Sequence, residues 1–414
     1  MGSMQDILDS AIKEACSIDN IVASIIQRRL KLLGIDLDLS QLDKIKTNLI
    51  EVGIENFKLE LDDKFIPQGI NKNDLEIKLT EEDADIFEKD FTKRMEQAVP
   101  QIIDDLSSRI FSRIKRDASG ILKSDLKERR AFEKIIFKQW EKALNLLQVF
   151  INIAIEVGND FNNEFRDIAI KENDHIFNVL TRLQARACQV ASEVLVLLKP
   201  GYADGAHARW RCLHEIAVIS FFISSNSSEV AERYILHEVI ESYKAAKCYQ
   251  NYCKQIGYEP LTDEEFNDLI LEKDGLIKRF GEAYKNEYGW AGIVLNKKRP
   301  NFRDIEEYVR LEHFRPFYKM ASHNIHANPK GVFFKLGLYP TDPEILLAGP
   351  SNLGLCDPGQ GTALSLLQVT ICLLTYKTTV DGLIFSHVLN RLEEEISSTF
   401  FEIHTSIESE ILAE

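Results

Sequence analysis

Residues 204–224 read DGAHARWRCLHEIAVISFFIS, and this stretch decides the fold class. At about one hundred degrees per residue, Ala206, Trp210, Leu213 and Ala217 share one face of a helix. Arg211, His214 and Glu215 gather on another side, which Val218 and Phe222 continue. Apolar residues around and beyond this polar group predict a helix buried on most of its faces. A buried guanidinium needs a carboxylate, and Glu215, four residues after Arg211, is the obvious partner. Asp204 is placed to cap the N-terminus of the helix.

Helical periodicity extends outward in both directions. Upstream, Glu81–Arg116 is amphipathic and is expected to break near Pro100. Lys123–Phe161 follows, with Phe132, Ile135, Ile136, Trp140, Leu144 and Leu147 at helical spacing. Ile168–Leu198 comes next and ends at Lys199-Pro200-Gly201. Downstream, Ser228–Ile256 and Asp263–Tyr288 read as helices, and Arg303–Ala327 either kinks at Pro316 or starts afresh near Arg315. A Gly- and Pro-rich stretch from Pro329 to Gly361 offers a small hairpin or an extended flap. Helices Thr362–Val388 and Leu389–Leu412 close the chain. The start is less legible. Short helices are expected at Asp6–Lys13 and Ile21–Leu33, a strand or loop at Gly34–Leu39, and a small β element within Ile54–Ile77.

The pattern predicts an all-α protein. Residues 1–3 read as a tag scar, residues 4–165 as a mainly helical N-terminal domain of unknown role, and residues 166–414 as a helical bundle. With 45% apolar residues, the chain is no disordered tether. A net charge of −15 argues against a general nucleic-acid surface, because phosphate contacts need clustered Lys and Arg. The basic run Arg109–Arg130 is interleaved with Asp117, Asp125 and Glu128, and a solvated helical hairpin is expected there. Seven scattered cysteines without a CxxC pair suggest reduced thiols and a cytoplasmic protein. Nothing after Met4 resembles a signal peptide. The apolar stretch Pro358–Tyr376 is interrupted by Gln360, Ser365 and Gln368, so a buried helix is expected and no membrane partner.

A second polar segment is Tyr318-Lys319-Met320-Ala321-Ser322-His323-Asn324-Ile325-His326-Ala327-Asn328-Pro329. On a helix, Ser322 lies one turn from His326, and His323 and His326 share a face. Two imidazoles so spaced can bind a metal or stand against a phosphate. A metal would need further ligands, for which Glu215 and Asp357 are the suggestions; a favourable interaction with the helix C-terminus is the plainer account. No metal or cofactor is expected.

The order of features from about Arg182 to Asp381 resembles the bacterial domain-of-unknown-function family 5677. The matching features are Arg211 and Glu215 in RWRCLHEIAV, Gly289-Trp290 in YGWAG, Ser322 and His326 in MASHNIHANP, and Asp357-Pro358. The same half is similar to the HEPN (higher eukaryotes and prokaryotes nucleotide-binding) helical proteins. Their hallmark of Arg, four to six residues, then His is met by Arg209 and His214, although Trp210 stands where a polar residue is usual. That resemblance implies a metal-independent ribonuclease or toxin-type effector of a bacterial defence or stress system, with RNA as substrate and a homodimer as the working form. His214 and His326 would exchange protons, with His323 a further candidate on the face of His326, and Arg209 or Arg211 would hold the phosphate. Glu215 would orient Arg211, with Ser322 beside them. The competing expectation is a non-catalytic helical binding or scaffold protein. There Arg211, Glu215, Ser322 and His326 form one structural network, and the N-terminal domain docks a protein partner.

Overall fold

The computed structural model describes residues 12, 17–52, 57–66, 77, 79–326, 328–339 and 345–413. Those residues contain helices and no strand. Most of the helix expected at residues 6–13, and much of the β element expected within 54–77, lie outside the described residues. Gly34–Leu39 is a loop that runs into a helix.

The chain divides into two compact units, residues 1–125 and 126–414. In the first, α1 (Ile18–Leu32) and α2 (Leu39–Val52) are followed by the start of α3 (Glu81–Glu172). Ala23, Ile26 and Leu30 of α1 bury themselves with Ile45 and Leu49 of α2 and with Ile35 and Leu61. Arg29 of α1 bonds Asp83 and Thr80. Asp83 also accepts from the backbone N–H of Thr80 at 2.9 Å, so one buried carboxylate anchors α1 and closes the first turn of α3. The bond from Arg29, helped by Thr80, holds the Asp83 carboxyl below the usual range despite its burial.

Pro100 does not break α3, which runs unbroken from Glu81 to Glu172. Nor does Arg109–Arg130 fold into a hairpin, because it lies wholly within this helix. Pro100 is exposed, so water can satisfy the carbonyl that its missing N–H leaves free. The chain turns instead at Asn173-Asp174, where Asn173 adopts φ 52° and Asp174 caps the next helix through the N–H of Phe177. The boundary near 165 read from the sequence falls inside α3, whose residues Ile136 to Phe161 contribute to the core of the second unit.

That unit packs α4 (His175–Leu198), α5 (Ala203–Ser224) and α12 (Cys356–Tyr376) around one large apolar core. Polar groups register the packing. Gln184 of α4 donates to the Ala154 carbonyl of α3 at 3.1 Å and accepts from Thr370 of α12 at 3.2 Å. Trp210 of α5 donates to Ser365 of α12 at 3.1 Å. Gly361 permits that approach, since a Cβ there would stand 2.7 Å from the indole nitrogen. Around this core lie α6 (Ser228–Tyr252), α7 (Asp263–Phe280), α8 (Gly292–Leu295), α9 (Phe302–Tyr308), α10 (Arg315–Ile325) and α11 (Pro329–Phe333). Pro316 occupies the first turn of α10, so the helix starts afresh there. The closing helix α13 is Val380–Ala413, so the last break falls at residues 377–379 and not at 388. Among its described residues, the Gly- and Pro-rich stretch holds α11, irregular chain and the start of α12, and no strand. No helix among the described residues is long and apolar enough to cross a membrane.

Candidate functional site

The polar group on α5 is met by α9 and α10. Arg211 Nε donates to Glu215 Oε1 at 3.1 Å, and the Tyr318 hydroxyl donates to the same oxygen at 2.6 Å. The guanidinium of Arg211 lies 4.6 Å from the centre of the Tyr318 ring. Beside it, His214 Nε2 is 3.1 Å from Glu306 Oε1, and the other Glu306 oxygen accepts from Arg315. Arg315 also lies over the Tyr318 ring, at 5.6 Å. The phenol therefore joins two chains of contacts, Arg211–Glu215 and His214–Glu306–Arg315.

The cluster is graded from dry to wet. The side chain of Glu306 is fully buried and that of His214 is 1% exposed, whereas Arg211 is 23%, Glu215 32% and Arg315 26% exposed. Aromatic rings seal the dry end. Trp210, Phe302, Phe314 and Tyr318 all lie within 6.2 Å of the His214 ring centre. Burial, and then the bond to Glu215, push the Tyr318 hydroxyl well above its ordinary range, so it keeps its proton and donates it. Burial acts to lower the Arg211 pKa, but Tyr318 and Glu215 together outweigh it and raise it.

The other residues singled out in the sequence go elsewhere. Arg209 pairs with Glu193 of α4, while His214, five residues on, pairs with Glu306; the spacing that resembles a nuclease hallmark is divided between two neighbours. Ser322 donates back to the Tyr318 carbonyl at 2.7 Å. His323 shares a 2.7 Å hydrogen bond with Asn328, and His326 is exposed at the C-terminus of α10. Asp204 does not cap α5; its carboxylate accepts from the backbone N–H of Leu336 at 3.0 Å. Asp357 borders a separate 180 Å³ cavity with His404 and Glu408. No group of three or more His, Cys, Asp or Glu side chains among the described residues is arranged to hold a metal ion. The Gly289-Trp290 pair is a packing element. A Cβ on Gly289 would meet the Tyr284 carbonyl at 2.4 Å, and the Trp290 carbonyl accepts from buried Arg233.

Sequence reasoning missed Glu306, Arg315 and Tyr318. Glu306 sits in DIEEYVRLEHF, whose charge density is that of a solvated helix, and nothing in that run marks one glutamate as the buried one. Tyr318 carried a usable signal, since it opens the helical turn that leads to Ser322.

Residues 177–338 match the model of a family of unknown function (DUF5677). The match takes in the Arg211/Glu215 helix, the Gly-Trp pair and the Ser322/His326 helix, and stops before Asp357-Pro358. No curated protein and no solved structure matches the chain.

Proposed function

We propose that this chain is a non-catalytic helical binding protein, in which the cluster on α5, α9 and α10 is a polar lock. The observation that carries this reading is the closure of the His214–Glu306 pair. A general acid or base must reach its substrate, and this imidazole faces a fully buried carboxylate behind four aromatic rings. The two arginines that edge the cluster are each neutralised by a carboxylate.

The surface offered for binding lies on α3. Ile103, Ile110, Ile114 and Ile121 are all exposed and fall within about 40° of one another around the helix. The occupant this stripe fits is the same stripe of a second copy, running antiparallel. Centring such a pair on Ser112 sets Ile103 opposite Ile121 and Ile110 opposite Ile114 of the second copy. Sedimentation of the full chain tests it. A dimer that dissociates in Ile110→Glu and Ile114→Glu variants supports the reading, and a monomer at high micromolar concentration overturns it.

A second reading, a ribonuclease or toxin-type effector of a bacterial defence system, has one observation in its favour. The guanidiniums of Arg211 and Arg315 flank Tyr318 at the half-exposed edge, where a phosphate could approach. Incubation with labelled RNA separates the two. Cleavage lost in Arg211→Ala and His326→Ala at unchanged melting temperature would displace the lock in favour of the nuclease. Intact RNA supports the lock.

A further inference from the structure

A cleft of the second unit lies between the end of α3 and α4, away from the polar lock. Its volume is about 870 Å³, within the range of clefts that hold small organic ligands. Small residues, Ala154, Gly158, Ala169 and Ala185, contribute to its lining and leave the space.

The charge of this lining is the reverse of the chain's. Although the protein carries −15, two arginines and a histidine line the cleft against a single carboxylate, Asp174. Asp174 is already engaged. It accepts from the N–H of Phe177 and the hydroxyl of Tyr376 at 2.8 Å, and Lys377 stands 3.5 Å away. The acids of this part of α3, Glu156, Asp160, Glu164, Asp167 and Glu172, lie outside the lining. Neutral amides fill the places that carboxylates would take. Arg166 donates to Asn162 Oδ1 at 3.1 Å, and Arg182 donates to Asn178 Oδ1 at 2.9 Å. These bonds hold each guanidinium in place without cancelling its charge.

The two arginines also stand level. Arg166 precedes Asn173 by seven residues and Arg182 follows Asp174 by eight, so at 1.5 Å per residue they lie about 10 and 12 Å from the turn. Both line the same cleft from opposite helices. Guanidiniums present planar forks of donors that match phosphate oxygens, and two across one cleft form a clamp for a group of two or more negative charges. We propose that this cleft binds a small organic phosphate, held by Arg166 and Arg182. Around that clamp, Asn159, Gln189 and Ser192 supply hydrogen bonds to the rest of the ligand.

The test is calorimetric titration of the full chain with inorganic phosphate, pyrophosphate, ATP and a twenty-nucleotide single-stranded RNA. ATP or pyrophosphate is expected to bind at least tenfold more tightly than inorganic phosphate. Arg166→Gln and Arg182→Gln should each weaken that binding at least tenfold, and the double variant should abolish it. Both side chains are exposed, so the variants should keep the parent's melting temperature and helical circular dichroism. Absence of binding to any phosphate overturns the proposal, as does undiminished binding by the double variant. RNA binding that ATP does not compete with overturns the small-molecule assignment. The polar lock shares no residue with this clamp, so either reading can fail alone.

Discussion

His214 and Glu306 are 92 residues apart in sequence and 3.1 Å apart in the fold. The contact fastens α9 to the middle of α5, and Arg315 completes it from α10. A buried polar contact of this kind is expensive to leave half-made. Removing one partner leaves a buried polar group without its hydrogen bond, at a cost of about 1–3 kcal/mol. Glu306→Ala is therefore expected to lower the stability of the second unit by that amount, measured by urea denaturation. His214→Phe with Glu306→Leu should recover part of the loss, because Arg315 is partly exposed and can turn to water. Recovery in the double variant is the signature of a lock. A catalytic pair would show no such rescue of activity.

The two arginines of RWR should behave differently. Arg209 makes a partly exposed pair with Glu193, and such pairs contribute about 0–1 kcal/mol. Arg211 combines its bond to Glu215 with a face-on contact to Tyr318, and its loss should cost about 1–2 kcal/mol. Melting temperatures of Arg209→Ala and Arg211→Ala give the comparison. Equal shifts would place the weight of the network outside Tyr318.

The burial of α5 was legible from the face carrying Ala206, Trp210, Leu213 and Ala217, every one of which is buried. The Arg211–Glu215 pair was equally legible, since i, i+4 spacing is a local property of the helix. The convergence of Tyr318 and Glu306 on that pair was not, because it depends on how α9 and α10 are led back by the short turns before them. Helix ends were the least readable feature. Pro100 carried a break signal that a long solvated helix absorbs, while the real turn sits at Asn173-Asp174, a pair with left-handed and capping tendencies that was passed over.

Pro100 gives a direct test of that absorption. Proline inside a helix removes one backbone bond and crowds the preceding turn, at about 3 kcal/mol relative to alanine. The helix persists around it, so Pro100→Ala should retain the fold, raise the melting temperature of the first unit and leave circular dichroism at 222 nm equal or stronger. A loss of ellipticity would mean that the proline sets a bend that the first unit requires.

His207 supplies the pH dependence. It is 1% exposed, stacks on Trp210 at 5.3 Å, and neither ring nitrogen has a hydrogen-bond partner. Burial pulls its pKa down from the ordinary 6.5 to about 4. The unfolded chain therefore takes up this proton more readily than the folded one. Stability is whole above pH 6.5, declines as the pH falls towards 4, and loses nothing further from this group below that. The interval corresponds to roughly 3 kcal/mol. His207→Leu removes both the titration and two unsatisfied buried atoms, so it should be neutral or stabilising at pH 7 and more clearly stabilising at pH 4.5. Urea midpoints at the two pH values measure the difference. If the parent and His207→Leu lose stability in parallel between pH 7 and 4.5, another group governs the acid limb.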